Sequence, residues 1–201
     1  EIIKQDYLKV DYKELVFLFS KIHVIGNPPF GRQSSFAIKF IKKSCEFCSS
    51  LSFILPKSFK KESLKKIFPL NFHLLLEIDI PKDSFLVKNL QYDVPCILQI
   101  WEKRDYTREI IENSQPAGFV FVKKTENPDI SFRRVGYTAG FIDTNIQDKS
   151  IQSHYFIKFT NTSNIDENIK NLQNIHFNHN NTVGPRSISK QELIKEFNNF
   201  I

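Results

Sequence analysis

The chain has 201 residues, 41% of them hydrophobic, which is enough for a real core and for one large domain or one and a half. Lys and Arg outnumber Asp and Glu 28 to 22, a net charge of +6 that suits a polyanionic partner as well as a plain basic soluble protein. No apolar run reaches the length of a membrane span and no signal-peptide pattern is present, so a membrane partner is not expected. The three cysteines cannot all pair, which points to a reducing, cytoplasmic setting in a prokaryotic or virus-infected cell.

Ile22-His23-Val24-Ile25 reads as a short buried strand. Asn27-Pro28-Pro29-Phe30 follows, then Gly31-Arg32. Phe36, Ala37, Phe40, Ile41 and Phe47 then recur at helical spacing from about Ser35 to Ser49, with Ser34 or Ser35 as N-cap. Asn-Pro alone is a common turn starter. Its place at the carboxyl end of a strand in an α/β pattern is also where ligands bind in parallel sheets.

The chemistry of these four residues is specific. An exocyclic amino nitrogen such as N6 of adenine is a poor nucleophile, because its lone pair is delocalised into the ring. Two acceptors aimed at its N–H bonds pull it toward tetrahedral geometry. The Asn27 side chain and the Pro28 backbone each offer a carbonyl oxygen. Proline fixes its own φ and restricts its predecessor, so Asn27-Pro28-Pro29 is nearly rigid, and orientation supplies much of such a barrier reduction. Phe30 offers a flat face for a base. In duplex DNA the base must first be flipped out of the stack.

Further along, Leu51–Leu55 reads as a strand and Glu62–Phe68 as a short helix ended by Pro69. Leu74–Ile80 and Pro95–Glu102 read as strands joined by a loop. Alternating strands and helices imply a parallel sheet with covering helices. The run Glu102-Lys103-Arg104-Asp105 marks a boundary. Beyond it, Gly118–Lys123 and Ile130–Val135 look like a hairpin, Ser153–Phe159 like a strand and Asn164–Ile175 like a helix. Ser189-Lys190-Gln191-Glu192 is a capping box that opens a final helix, Gln191–Phe200.

Lys57, Lys60, Lys61, Lys65 and Lys66 cluster after Pro56, Arg32 directly follows the Asn-Pro-Pro-Phe loop, and Arg133-Arg134 makes a second basic group. Cys45-x-x-Cys48 sits within a helix pattern with no histidine at ligand spacing, so it reads as buried thiols and no metal site is expected. His176 and His179 fall in a polar stretch that reads as a loop. Asn161-Thr162-Ser163 and Asn180-Asn181-Thr182 match the glycosylation pattern by chance.

The first 104 residues or so resemble the gamma-class amino-methyltransferases, the N6-adenine DNA methyltransferases that often accompany restriction enzymes. Asn27-Pro28-Pro29-Phe30 matches their catalytic loop. Phe53-Ile54-Leu55-Pro56 with Lys57-Ser58-Phe59 resembles the next strand and turn, and Phe72–Ile80 with Tyr92–Trp101 the closing pair of strands. Asp6-Tyr7-Leu8 resembles the segment that meets the adenine of S-adenosylmethionine, and Phe85 lies where the family often places a second aromatic against the flipped base.

The resemblance implies a Rossmann-like S-adenosylmethionine-dependent methyltransferase sheet, partial and without its N-terminal strands, followed by a C-terminal α+β extension. Residues 1–104 would be the catalytic half and 105–201 a target-recognition-like extension. The implied cofactor is S-adenosylmethionine and the implied partner DNA. Asn27, Pro28, Pro29 and Phe30 would be catalytic, and Asp6 and Tyr7 would touch the donor. Phe85, Arg32, Lys57, Lys60 and Lys61 would touch the substrate.

The family's glycine-rich donor turn has no counterpart here. The chain therefore reads as the C-terminal part of a longer enzyme, weak in donor binding alone, with the donor-binding half in the same or a partner chain. A permuted order is disfavoured, because 178–201 holds no glycine-rich turn and Asp6 precedes the loop. RNA adenine and protein glutamine methylation use the same loop chemistry, although the glutamine enzymes usually carry Tyr at the fourth position. A non-catalytic nucleic-acid-binding subunit is the remaining alternative.

Overall fold

In a computed structural model, residues 4–110, 112–161, 163–177 and 185–200 are described. His179, Thr162 of the first glycosylation pattern and the whole of the second lie outside them. The chain divides into two compact units, the first ending at Ile110.

The first unit opens with a 3-10 turn, Tyr7–Lys9, and helix α1, Lys13–Leu18. Strand β1, His23–Gly26, leads through the Asn-Pro-Pro-Phe loop to helix α2, Ser35–Cys45. Strand β2, Ser50–Pro56, is followed by a 3-10 turn and the short helix α3, Glu62–Lys65. Strand β3, Phe72–Asp79, precedes a two-stranded ribbon of β4, Phe85–Val87, and β5, Leu90–Tyr92. Strand β6, Cys96–Lys103, closes a mixed sheet of order β1-β2-β6-β3.

Only β1 and β2 pair in parallel, and β6 runs antiparallel between β2 and β3. The sheet is therefore mixed, where the alternation of elements predicts a parallel one. The link from β3 to β6 holds a ribbon and no crossover helix, so β6 comes back reversed. The ribbon stands where the sequence predicts a plain loop; Lys88 and Asn89 at its tip both have positive φ, as a two-residue hairpin turn requires.

One face of this sheet is covered. Leu51, Phe53 and Leu55 of β2 stand in register with Trp101, Gln99 and Ile97 of β6, and pack with Ala37 and Ile41 of α2 and with Phe59 and Phe68. A polar chain crosses this core. The Trp101 indole donates to Gln99 Oε1 at 3.0 Å, and Gln99 Nε2 donates to Glu77 at 2.7 Å and to the Phe59 carbonyl at 3.1 Å. Arg108 donates to the carbonyls of Lys65, Phe68 and Phe72, so the chain beyond the Glu102–Asp105 run stays on the first unit.

The opposite face is open among the described residues. Ile25, Ser52, Ile100 and Leu76 form one cross-strand row, and Ile54, Leu98 and Ile78 a second. Ile25 is 81% exposed and Ile78 46%.

The second unit is a four-stranded antiparallel sheet of order β7-β10-β8-β9, from β7 Phe119–Val122, β8 Ile130–Arg133, β9 Ile142–Asp143 and β10 His154–Phe159. Helices α4, Ile165–Gln173, and α5, Lys190–Phe197, bury Ile169, Leu172, Leu193, Ile194 and Phe197 against Phe119, Ile130, Phe132, Ile157 and Phe159. The hairpin expected between 118–123 and 130–135 does not form, because β10 pairs with both strands and separates them. Asp129 fixes that insertion. Its N–H donates to Ile157 O at 2.9 Å and its carboxylate accepts from Phe159 N at 2.7 Å. The capping box at Ser189 and Glu192 forms as the sequence predicts, at 3.3 and 2.7 Å.

Candidate functional site

Strand β1 ends at Gly26, and Asn27 is the first residue past it. Asn27 and Pro29 are exposed, Pro28 is buried and Phe30 is half-buried. Burying the central proline anchors the loop while Asn27 stays exposed. The serine cap expected for α2 is not made. Ser34 is left-handed (φ 62) and its side chain caps nothing. The cap comes from the loop itself, since the N–H groups of Phe36 and Ala37 donate to Phe30 O at 3.1 and 3.3 Å. Two of the orphan donors at the start of the helix thus hold the last residue of the motif in place.

The turn behind the motif is strained. Gly31 has φ 70, and Gln33 and Ser34, which are not glycine, have φ 53 and 62. Residues held in this region cost of the order of 1 kcal/mol or more each, and such costs concentrate at functional loops. A Cβ on Gly31 would lie 2.5 Å from the Phe36 ring and 3.1 Å from Phe36 N, so glycine answers both the dihedral and the space.

Three other segments share this end of the sheet. β2 runs parallel to β1, so Pro56 and Lys57 leave at the same end. β3 runs antiparallel to β6 and hence parallel to β2, so Asp79 and the ribbon also emerge there. Lys57 and Lys60 both reach Asp79, at 3.5 and 2.6 Å, which ties the two segments together. The lysine side chains beside the Asp79 carboxyl hold its pKa below the ordinary value, Lys60 most strongly. Lys65 pairs with Glu77 at 3.2 Å. Lys61 is half-buried and Arg32 exposed. Phe85 lies on the ribbon, half-buried, opposite Tyr92. The topology thus gathers Asn27–Phe30, Arg32, Lys57, Lys60, Lys61 and Phe85 at the carboxyl ends of β1, β2 and β3, with β1 and β3 on opposite borders and roughly 14 Å apart by strand spacing.

Asp6 and Tyr7 are not gathered there. The Asp6 carboxylate accepts from Leu8 N at 3.0 Å and caps the first turn. The Tyr7 ring stacks on Phe40 at 5.0 Å and its hydroxyl meets Ser44 Oγ at 2.7 Å. Those partners lie along the later turns of α2, while the loop joins the first. Burial raises the Tyr7 pKa, and the hydrogen bond to Ser44 offsets part of that rise. Asp6 thus caps its own turn, and Phe40 covers one face of Tyr7.

Burial pushes the thiols of Cys45, Cys48 and Cys96 up to about 12, 11 and 11, so they stay protonated near neutrality and are poor nucleophiles and ligands. Among the described residues no three His, Cys, Asp or Glu side chains are grouped to hold a metal ion. No helix among them is long and apolar enough to cross a membrane. Arg133 and Arg134 each donate to a carbonyl, Val135 O at 3.2 Å and Gln152 O at 2.8 Å. The sequence gives no sign of the Phe30 carbonyl cap or of the Gln99 chain, because both depend on backbone groups and cross-strand register.

No family model matches the chain, and no match is found among curated proteins or solved structures.

Proposed function

We propose that the first unit is the catalytic-loop half of an S-adenosylmethionine-dependent methyltransferase acting on N6 of adenine in DNA. The observation that carries this reading is the Asn27-Pro28-Pro29-Phe30 loop leaving the carboxyl end of β1, with its last carbonyl locked to the start of α2. In this reading the Asn27 side-chain oxygen and the Pro28 carbonyl accept from the two N–H bonds of the amino group and free its lone pair. The ring of Phe30 stacks on the extruded base, and Phe85 approaches from the ribbon. Arg32, Lys57, Lys60 and Lys61 supply positive charge for the phosphates. The donor contributes an electrophilic methyl group, and the proton leaves the amino nitrogen after attack.

The donor-binding half belongs elsewhere in this reading, upstream in the same protein or in a partner. The uncovered face of the sheet supports this. A sheet of this kind is stable with layers on both faces, and Ile25, Leu76 and Ile78 are left in water. Strand β1 is also a sheet border, open to a further strand beside the loop. Residues from 105 onward act in target recognition. RNA adenine is the alternative acceptor, since the loop chemistry and the basic charge fit it equally.

Calorimetry tests the division of labour. S-adenosylmethionine titrated into this chain and into the chain together with a donor-binding half is expected to bind only the second. Binding to the chain alone contradicts the division. Binding to neither favours a non-catalytic nucleic-acid-binding subunit.

A further inference from the structure

The connection from β8 to β9 in the second unit is a short loop fastened at every step. At its base Arg133 N–H donates to Phe141 O and Gly140 N–H to Arg133 O, both at 2.8 Å. Within it Ala139 N–H donates to Gly136 O at 3.0 Å and Phe141 N–H to Thr138 O at 3.1 Å. Gly136 N–H reaches across to Arg186 O at 2.9 Å. Gly136 and Gly140, at φ 105 and 104, permit so sharp a course.

This loop holds two aromatic rings in water. Tyr137 is 100% exposed and Phe141 59%. Single exposed apolar side chains are ordinary on a surface. Two rings on one fastened backbone are presented with little conformational freedom left to lose on binding.

Cations flank the rings. Phe132 and Ile142 are buried in the core under the helices, so alternation along the strands turns Arg133 and Phe141 to the other face of the sheet. The Arg133 guanidinium folds back along the loop. Its Nε donates to Val135 O at 3.2 Å, and a Cβ on Gly136 would lie 3.4 Å from its Nη2. Its Nη groups make no hydrogen bond among the described residues. Arg186, joined to Gly136 through its backbone, carries a guanidinium with no partner among the described residues. The neighbouring carboxylates are engaged elsewhere. Asp143 pairs with Lys149 at 2.6 Å, Asp129 accepts from Phe159 N at 2.7 Å, and Glu192 closes the capping box at 2.7 Å.

Guanidinium forks match phosphate oxygens, and free aromatic faces take unpaired bases. An acidic peptide answers only the arginines, whereas a strand of nucleotides answers the arginines and the rings together. We infer that this loop binds single-stranded DNA, with Tyr137 and Phe141 stacked on unpaired bases and Arg133 and Arg186 on phosphates. The choice of DNA over RNA rests on the adenine-DNA reading of the first unit; the place of the strand rests on the second unit alone.

The test is fluorescence anisotropy on the whole chain, with no methyl donor present. The probes are a labelled oligodeoxythymidylate, the matching oligouridylate and a duplex of equal length. The oligodeoxythymidylate is expected to bind most tightly. Tyr137→Ala is expected to weaken that binding about ten-fold, the worth of one stacked base, and to leave the melting curve unchanged, since its ring lies wholly in solvent. Phe141→Tyr is expected to retain binding and Phe141→Ala to weaken it about ten-fold. Arg133→Ala is expected to lower the slope of log affinity against log salt by about 0.7, the share of one phosphate on a single strand. Absence of binding, tighter binding of the duplex or the oligouridylate, or binding that survives Tyr137→Ala and Phe141→Ala together overturns the inference. No methyl transfer is read, so such a failure leaves the reading of the first unit standing. Strand binding that behaves as expected while no adenine is methylated counts against that reading alone.

Discussion

Gly31 carries more of the loop than its size suggests. Its φ of 70 lies where a side chain is disfavoured, and a Cβ there meets the Phe36 ring at 2.5 Å. Gly31→Ala is expected to destabilise the first unit by about 1–2 kcal/mol, the cost of a strained left-handed residue. Urea denaturation monitored at Trp101 measures this. No change in midpoint would mean that the turn relaxes freely and that the Asn-Pro-Pro-Phe loop is not rigidly held. His154 is the second residue with a clear physical signature. Burial above all pulls its pKa below the ordinary value of 6.5; the hydrogen bond to the Ser150 carbonyl opposes it, Arg133 and Lys149 add to the fall, and Asp143 opposes it last. Folding therefore favours the neutral ring. Its contribution is complete above the unfolded value near pH 6.5 and is lost as pH falls below it. The melting temperature of the second unit is expected to drop between pH 7.5 and 5, and His154→Gln to flatten that drop. A melting temperature independent of pH over that range, or the same slope in the variant, would contradict it.

The elements of the first unit are joined by a polar chain that runs through its core. Gln99 is fully buried and serves Trp101, Glu77 and Phe59 at once, linking β6, β3 and the turn after β2. Gln99→Leu fills the same volume and leaves the indole N–H and the Phe59 carbonyl without that partner. A cost of about 1–3 kcal/mol is expected, read as a lower denaturation midpoint, and a neutral outcome would mean that water replaces the amide. The same element scale shows what the sequence makes legible. The strand, the loop and the helix after it stand out because apolar periodicity changes at a rigid Asn-Pro-Pro. The capping box at Ser189 stands out because two side chains three residues apart suffice to form it. The ribbon at 85–92 is not legible as strands, because Leu86, Val87, Leu90 and Tyr92 are all exposed and no core face imposes alternation. The place of β10 between β7 and β8 is hidden too, since register between distant strands is set by contacts such as Asp129 to Phe159 and not by local pattern.

At the scale of the molecule, the two units differ in how completely they are covered. The second packs its helices on a sheet and buries a phenylalanine-rich core. The first covers one sheet face and, among the described residues, leaves the other apolar and open around the border strand that bears the loop. The candidate site follows the same division. The loop, the lysines after Pro56 and the ribbon converge because three strands end at one side of the sheet, which the order of elements already suggests. Asp6 and Tyr7 do not join them, because a neighbouring aromatic, Phe40, and a serine hydroxyl, Ser44, hold Tyr7 along α2. Such local packing has no sequence signal.

The most direct test of the central claim is mass spectrometry of nucleosides from DNA incubated with S-adenosylmethionine, this chain and its donor-binding half. The account predicts N6-methyldeoxyadenosine, reduced about a hundred-fold or more by Asn27→Ala while DNA affinity is retained. Absence of methylated adenine, or an equal yield with Asn27→Ala, would contradict it.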